Sequence, residues 1–273
     1  MSVHELSDRA AEAARTSSSA PIIVIAYTGS GADRLRSALS GYPELACTQQ
    51  TGILPLFHNA FSTWQAVDGR VGSGVSPMAA ASLRALSAGL MTSILARQTG
   101  SRWCEFATAP PAAAQTFALL YPQTRFLIVH RRADTVARAI VKASDWGLEG
   151  PEFAPFVSAH PGSPVAALAG YWVAHTTQQL EFEQAHQDRC HRLRIEDLSA
   201  DPAQTLRGIG YFLALDEQDA PPGTVYGDDS GRSSAASAAG TGLPTDRIPA
   251  ALLDRVNELH RALGYSPVAD AGA

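Results

Sequence analysis

Length, composition and charge exclude several classes of protein. The chain has 273 residues, of which 45% are hydrophobic and 17% charged, as is typical of a globular protein with one generous domain or two small ones. A net charge of −5 argues against a general nucleic-acid binder, because such a protein needs a basic face.

Strand and helix patterns alternate along the first half of the chain. Residues 22–26 are a continuous aliphatic run, typical of a strand buried on both faces of a parallel sheet. The spacing then predicts strands at 45–48, 103–107 and 125–130 and helices at 32–41, 76–98, 110–121 and 132–143. This alternation predicts an α/β fold with a central parallel sheet flanked by helices.

The second half holds longer helices and more loop. We predict helices at 165–186, 202–213 and 249–263, a strand at 191–195, and pocket-shaping loops at 52–75 and 144–164. Asp201 and Pro202 are typical of an N-cap and first residue of a helix. The segment 216–247 has few large apolar residues, which predicts a mobile loop. We therefore expect a single domain over 21–268, with tails at 1–20, including a short surface helix at 4–15, and at 269–273.

Cysteine usage and hydropathy indicate the compartment. Cys47, Cys104 and Cys190 are far apart in the sequence and form no CxxC pair, so no metal site is expected. No stretch approaches about 18 uninterrupted apolar residues, and no signal-peptide core is found near the amino terminus. The sequence predicts a cytoplasmic protein with no membrane partner and no nucleic-acid partner, and it fixes no oligomeric state.

The segment TGSGAD, residues 28–33, joins the first strand to the first helix. Backbone N–H groups converge at such a turn, so it can cradle an anion. The segment matches neither GxxxxGK[ST] nor GxGxxG, and by itself it is equally consistent with a tight structural turn. Its Asp33 stands where an anion would bind.

A second candidate binding segment is HRRAD, at 130–134. It places His130, Arg131 and Arg132 at the carboxyl end of a buried strand, where open α/β sheets bind ligands. The alternative interpretation is a solvated start of a helix.

Taken together, these segments resemble the sulfotransferase superfamily from about residue 21 to residue 268. Residues 21–55 are similar to the family's first strand, phosphosulfate loop and second strand, with the spacing of tyrosylprotein sulfotransferases. Residues 102–140 are similar to the strands and helices that lead to the 3′-phosphate site. The remaining segments, 142–153, 171–215 and 242–265, resemble an actinobacterial-type branch of the family.

The resemblance implies a domain that binds 3′-phosphoadenosine-5′-phosphosulfate (PAPS) and transfers its sulfuryl group to a hydroxyl or amine. That chemistry needs cations on the phosphosulfate oxygens and a base for the acceptor. The family's loop has Arg or Lys before Ser-Gly and two small hydroxyl residues after it. Here these positions hold Gly29, Ala32 and Asp33, and a buried carboxylate facing a phosphosulfate would be strongly repulsive.

Other family positions also depart from the pattern. The expected arginine of the 3′-phosphate segment is present as Arg131. The positions of the base, a nearby arginine, a strand lysine, a serine and a late-loop arginine hold other residues. In that order, these residues are Gln50, Gly52, Phe106, Ala139 and Thr241.

These departures favour a sulfotransferase-fold enzyme that has lost the usual PAPS site. We expect it to act on a small molecule in a bacterial specialised-metabolite pathway, with no cofactor. The candidate catalytic residues are Asp33, Glu105, His130 and Gln50. Asp33 or Glu105 would need desolvation beside Phe106 to act as an acid or base, His130 is the alternative acid or base, and Gln50 cannot take a proton. The expected substrate-binding residues are Tyr27, Gln49, Phe106 and Trp146.

Two alternatives remain open at this point. The chain could be a working PAPS-dependent sulfotransferase in which Ser30, Gly31, Arg131 and Arg132 hold the nucleotide and His58 or a neighbour of Gln50 assists the acceptor. It could also be a non-catalytic family member that binds a ligand or a partner enzyme.

Overall fold

A computed structural model describes residues 20–67, 77–143, 148–216 and 244–268. It confirms the α/β fold class: five parallel strands form one sheet in the order β2-β3-β1-β4-β5. The strands are β1 Ile22–Ile25, β2 Leu45–Gln49, β3 Arg102–Ala107, β4 Arg125–His130 and β5 Cys190–Arg194. The expected tails, the surface helix at 4–15 and most of the expected mobile loop lie outside the described residues.

Ten α-helices occur in the described part of the chain. They are α1 Ala32–Leu39, α2 Ile53–Val67, α3 Pro77–Leu95, α4 Pro111–Leu120, α5 Ala133–Ala143, α6 Ala154–Ala159, α7 Pro164–Ala185, α8 Ile195–Ala200, α9 Pro202–Leu213 and α10 Ala250–Ala262. At α9, the expected cap is confirmed, since Asp201 Oδ1 accepts the backbone N–H of Gln204 at 2.9 Å and Pro202 is the first helical residue.

Three helices were not predicted as such. The segment expected as a loop at 52–75 contains α2, and the one at 144–164 contains α6. Pro55 and Pro155 lie in the first turns of these helices, where the missing backbone N–H has no helical partner to lose. The short helix α8 fills the connection between β5 and α9.

Alternating side chains of the sheet build a core on each face. Ile22 and Val24 of β1 pack with apolar residues of α1, α8 and α9. Ile23 and Ile25 face the opposite way, toward α2, α3 and α4. A third apolar cluster joins α5, α7 and α10 beyond the carboxyl end of β1, and Tyr27 and Trp172 belong to it. This packing fixes the carboxyl edge of the sheet, where the predicted site residues lie.

Among the described helices, α3 is long and apolar enough to cross a membrane by length and composition alone, with a mean hydropathy of 1.4. Its Leu83 and Met91 are buried in the core, while Met78 and Leu86 are exposed.

Candidate functional site

The loop after β1 has two glycines in the left-handed region of backbone space. Gly29 has φ 87° and Gly31 has φ 79°, and the backbone N–H of Ser30 closes the turn onto the carbonyl of Tyr27 at 2.9 Å. A Cβ on Gly29 would lie 3.0 Å from Cγ1 of Ile140 on α5. Gly29 is therefore required by this loop conformation, and an arginine at the same position would be strained and crowded.

The amino terminus of α1 opens onto this loop. Gly31 is the N-cap residue, and no side chain caps the helix. Ser30 is only 1% exposed, and its Oγ has no hydrogen-bond partner in the described structure. An unpaired helix terminus beside a buried, unpartnered hydroxyl is an arrangement that suits an anion.

Arg131 supplies a cation to the same loop from the end of β4. Its Nη1 donates to the carbonyl of Gly29 at 2.8 Å, and its Nε, also buried, has no partner among the described residues. Burial lowers the pKa of Arg131, and the charges of Arg34 and Arg138 act in the same direction while Glu196 opposes them. Among the nearby charges, the Glu196 carboxylate has the largest effect on the pKa of Arg131, so the surroundings of this arginine hold charge of both signs.

Asp33 and Gln49 lie together at the mouth of the site. Gln49 Nε2 donates to Asp33 Oδ1 at 3.1 Å, and Arg36 approaches the same oxygen at 3.7 Å. The Asp33 side chain is 73% exposed. The expectation of a buried, strongly repulsive carboxylate is therefore wrong, because solvent reaches and screens this group. Asp33 therefore lacks the desolvation that it would need to act as an acid or base.

Glu105 is 1% exposed, but it lies on the opposite face of the sheet from Asp33. The expected position beside Phe106 is wrong, since successive strand residues face opposite ways and Phe106 packs on the α1 face. Glu105 accepts hydrogen bonds from the Thr48 hydroxyl at 2.5 Å and from the backbone N–H and hydroxyl of Thr51, both at 2.8 Å. Burial raises the pKa of Glu105, although these hydrogen bonds oppose the shift.

The hydrogen bonds from Thr48 and Thr51 to Glu105 hold the turn between β2 and α2. Gln50 has a left-handed φ of 49°, and its backbone N–H donates to the carbonyl of Phe106 at 3.0 Å. Gln50 is exposed, whereas Phe106 is buried. The structure therefore brings Gln49, Gln50 and Phe106 to one corner of the carboxyl edge. His58 lies elsewhere, on α2, where its Nδ1 is 3.4 Å from the hydroxyl of Thr116 on α4.

His130 is completely buried in a charged network. Its Nε2 lies 2.6 Å from Oε1 of Glu183 on α7, and Arg192 of β5 donates to the other oxygen of Glu183 at 2.5 and 2.7 Å. Burial alone would raise the pKa of Glu183, but the hydrogen bonds from His130 and Arg192 outweigh it and lower that pKa. In this structure Glu183 joins β4, α7 and β5 through His130 and Arg192, and His130 has no exposed surface.

Arg132 points away from the loop. Its Nε donates to Asp134 at 3.1 Å, its backbone N–H donates to Glu196 at 3.0 Å, and its guanidinium lies 5.7 Å from the centre of the Tyr265 ring. Arg132 and Arg131 are therefore not brought together, although they are adjacent in sequence.

Two aromatic neighbours of the predicted Tyr27, namely Tyr171 and His175, were not predicted from the sequence. His175 on α7 stacks on Tyr27 at 5.6 Å between ring centres and lies 4.4 Å from Tyr171. Tyr27 and Tyr171 are buried, while His175 is partly exposed. Burial lowers the pKa of His175, and the Glu152 carboxylate opposes the shift. The four-residue spacing of Tyr171 and His175 within a predicted helix was the available signal.

Trp146 and Thr241 lie outside the described residues. Over the described ranges, no group of three or more His, Cys, Asp or Glu side chains is placed to hold a metal ion. A cleft of about 410 Å³ runs along β5, α8 and α9, and none of the predicted site residues lines it. Its Arg194 is paired with Asp197 at 2.8 Å.

Comparison with known families decides the ancestry of this arrangement. The model of the sulfotransferase family matches residues 21–219, which is well over half of the chain. The chain belongs to the sulfotransferase family. A search of curated protein sequences found no significant match.

Solved structures of sulfotransferases share the fold of this family member. The sulfotransferase domain of the Synechococcus PCC 7002 olefin synthase is 17% identical over 91% of this chain and 96% of that domain, with a TM-score of 0.53. The domain from the curacin biosynthetic pathway is 14% identical over 91% and 98%, with a TM-score of 0.55. A sulfotransferase from Alicyclobacillus acidocaldarius is 13% identical over 91% and 97%, with a TM-score of 0.56. At these identities the comparison shows the fold alone.

Proposed function

We propose that this sulfotransferase-family chain is an enzyme. It binds a small molecule by an anionic group on the loop at 28–31 and transforms that molecule without PAPS. The observation that carries the proposal is the pairing of two unpartnered groups at one loop. Ser30 Oγ and Arg131 Nε are both buried and lack partners in the described structure. A buried polar group without a partner is costly, and an anion would satisfy both of these donors.

The cradle formed by residues 28–31 and Arg131 carries less positive charge than a phosphosulfate site requires. The loop itself contributes no cation, because left-handed Gly29 stands at the position of the family's basic residue. Ala32 and Asp33 replace two hydroxyls, and Arg132 is committed to Asp134 and Glu196. Each lost charge-assisted hydrogen bond removes about 1.5–3 kcal/mol of binding energy. Such a site suits a compact anion, such as a phosphate, a pyrophosphate or a carboxylate, better than a nucleotide donor with anionic groups at both ends.

His175 is the group best placed for acid–base chemistry beside the cradle. It is partly exposed, it adjoins Tyr27 at the start of the loop, and no hydrogen bond to its ring is found within the described residues. Burial favours its neutral form, which can accept a proton from a hydroxyl or amine of the bound molecule. The resulting imidazolium would lie near the Glu152 carboxylate. In contrast, Glu105 is held by three hydrogen bonds and His130 is fully buried.

The setting is proposed on broader grounds. Two structures with this fold come from a bacterial olefin synthase and from the curacin biosynthetic pathway. We extend that setting, a bacterial small-molecule pathway in the cytoplasm, to this chain. We also propose its membership of an actinobacterial-type branch of the family.

A second candidate function, PAPS-dependent sulfuryl transfer, is favoured by Arg131. This residue matches the family's 3′-phosphate arginine, and it also donates to the carbonyl of Gly29, so it lies where it would contact a nucleotide bound on the loop. Ser30 and Gly31 fit that group as well, whereas Gly29, Ala32 and Asp33 do not. If PAPS binds, it supplies the sulfuryl group, and Arg131 and Ser30 would hold it.

Calorimetry with two probes separates the functions. We expect pyrophosphate and adenosine 3′,5′-bisphosphate to bind within about tenfold of each other, a difference of about 1.4 kcal/mol. Arg131→Ala should weaken both by tenfold or more. Asp33→Asn should strengthen both by about threefold for each unit of ligand charge about 6 Å away, since unit charges at that distance in water interact by about 0.7 kcal/mol. The matched control is Arg255→Ala, which removes an exposed arginine paired with Glu258 on α10.

The outcomes decide between the readings. Binding of the bisphosphate more than a hundredfold tighter than pyrophosphate would establish a nucleotide site and favour PAPS-dependent transfer. Binding that Arg131→Ala leaves unchanged would contradict the cradle. Absence of binding by both probes would favour the non-catalytic interpretation.

A further inference from the structure

The structure brings together two cysteines that are far apart in the sequence. Cys47 on β2 and Cys104 on β3 are directly paired in the register of neighbouring parallel strands. Both side chains face the α1 side of the sheet, and both are free thiols. Neighbouring strands lie about 4.8 Å apart. This separation falls within the range of about 4.4–6.8 Å between Cα atoms that a disulfide can span.

The two thiols have different surroundings. Cys104 is completely buried, whereas Cys47 is partly exposed. A hydrogen bond from the Cys104 thiol lowers the pKa of Cys47, in spite of burial, and Ser40 and the Arg36 charge at α1 add to the effect. Donation of the same hydrogen bond, together with burial, raises the pKa of Cys104. The exposed member of the pair is thus the one whose thiolate is stabilised.

The third cysteine differs from both. Cys190 is on β5, at the opposite edge of the sheet from β2. Burial raises the pKa of its thiol to about 12, and the charge of Glu183 acts in the same direction. Cys190 is therefore an internal reference for an unreactive cysteine.

We propose that Cys47 and Cys104 form a redox-sensitive thiol pair, in which Cys47 reacts with a hydroperoxide and Cys104 resolves the product as a disulfide. The Cys47 thiolate attacks one oxygen of hydrogen peroxide, forming a sulfenic acid and releasing hydroxide. The Cys104 sulfur then attacks the Cys47 sulfur, forming the S–S bond and releasing water. The balance is two thiols and one peroxide giving one disulfide and two waters.

The crosslink would act on the strand that forms one side of the candidate site. Gln49, which holds Asp33 at 3.1 Å, lies two residues beyond Cys47 on the same strand and the same face. A disulfide between parallel neighbours that are already paired by the sheet requires a small backbone adjustment.

The test is peptide mapping of the full-length protein after treatment with hydrogen peroxide. We expect a Cys47–Cys104 disulfide peptide and a fall from three free thiols to one, reversed by dithiothreitol. Cys190→Ser should form the same crosslink. Cys104→Ser should leave Cys47 as a sulfenic acid that dimedone labels, and Cys47→Ser should leave Cys104 reduced.

Other results would overturn the proposal. These are oxidation of Cys190 before Cys47, conversion of wild-type Cys47 to sulfinic acid without a crosslink, or equal rates of alkylation by iodoacetamide at Cys47 and Cys190. The alkylation rates are measured on the unsubstituted protein, so they decide the proposal even if Cys104→Ser fails to fold.

Discussion

Substituting Gly29 by alanine probes how the loop is built. At φ 87°, an alanine pays about 1–2 kcal/mol for the left-handed backbone. Its Cβ would also lie 3.0 Å from Ile140 Cγ1 and 3.1 Å from Val136 Cγ1, and such overpacking costs about 1–3 kcal/mol. Gly52→Ala is the matched comparison, because Gly52 has φ 77° and a Cβ there would meet nothing within 4 Å. The expected total loss is about 2–5 kcal/mol at Gly29 and about 1–2 at Gly52.

Urea unfolding of the wild type and both variants measures the difference. The effect of alanine on the unfolded chain is the same at both positions and cancels, so the difference reports the contact with α5. Gly89→Ala, in the middle of α3 with open space around it, should be neutral or slightly stabilising. Equal losses at Gly29 and Gly52 would refute the close approach of the loop to α5, and no loss at either position would refute the left-handed conformation.

Two further predictions concern titratable groups. Glu183→Gln should destabilise the protein by about 1.5–3 kcal/mol at pH 7, because it removes the charged partner of the buried His130 and of Arg192, whose side chain is 43% exposed. Because folding lowers the pKa of Glu183, this stabilisation is present above the ordinary pKa of a carboxyl group and is lost as pH falls through the lowered pKa of the folded state. The free energies of unfolding of the wild type and the variant should therefore converge in acid. A constant difference between them down to pH 3 would contradict the network. In NMR titrations, saturating pyrophosphate should raise the pKa of His175 and leave that of His191 unchanged, and binding without a shift at His175 would remove it from the site.

Much of the fold could be predicted from local patterns. The aliphatic runs at β1 and β4 identify buried strands, because only a parallel sheet covered on both faces needs them. The helix α2 was predicted as part of a loop. Its Pro55 is typical of loops by composition, but in the first turn of a helix a proline breaks no backbone hydrogen bond. Strand ends and helix ends differ from the predictions by a few residues, where capping and fraying decide the boundary.

The candidate site could be predicted only where neighbours in sequence are neighbours in space. The loop glycines and Arg131 were found in this way. Alternation along β3 already placed Glu105 and Phe106 on opposite faces, and that signal went unused. The partner of His130 is 53 residues away on α7, and no local pattern identifies it. Exposure of Asp33 likewise depends on how α1 packs against the end of β2.

The order of the sheet has a consequence for synthesis of the chain. The central strand β1 emerges first, but its neighbours are β3 and β4, so Ile22 pairs only when Cys104 and Arg125 become available. Until about 80 further residues have been made, the segment IIVI stays exposed on the ribosome, with both its edges open. Closing such long loops also slows folding. We therefore expect the yield of soluble protein to depend on chaperones and on growth temperature more than on any single contact in the finished fold.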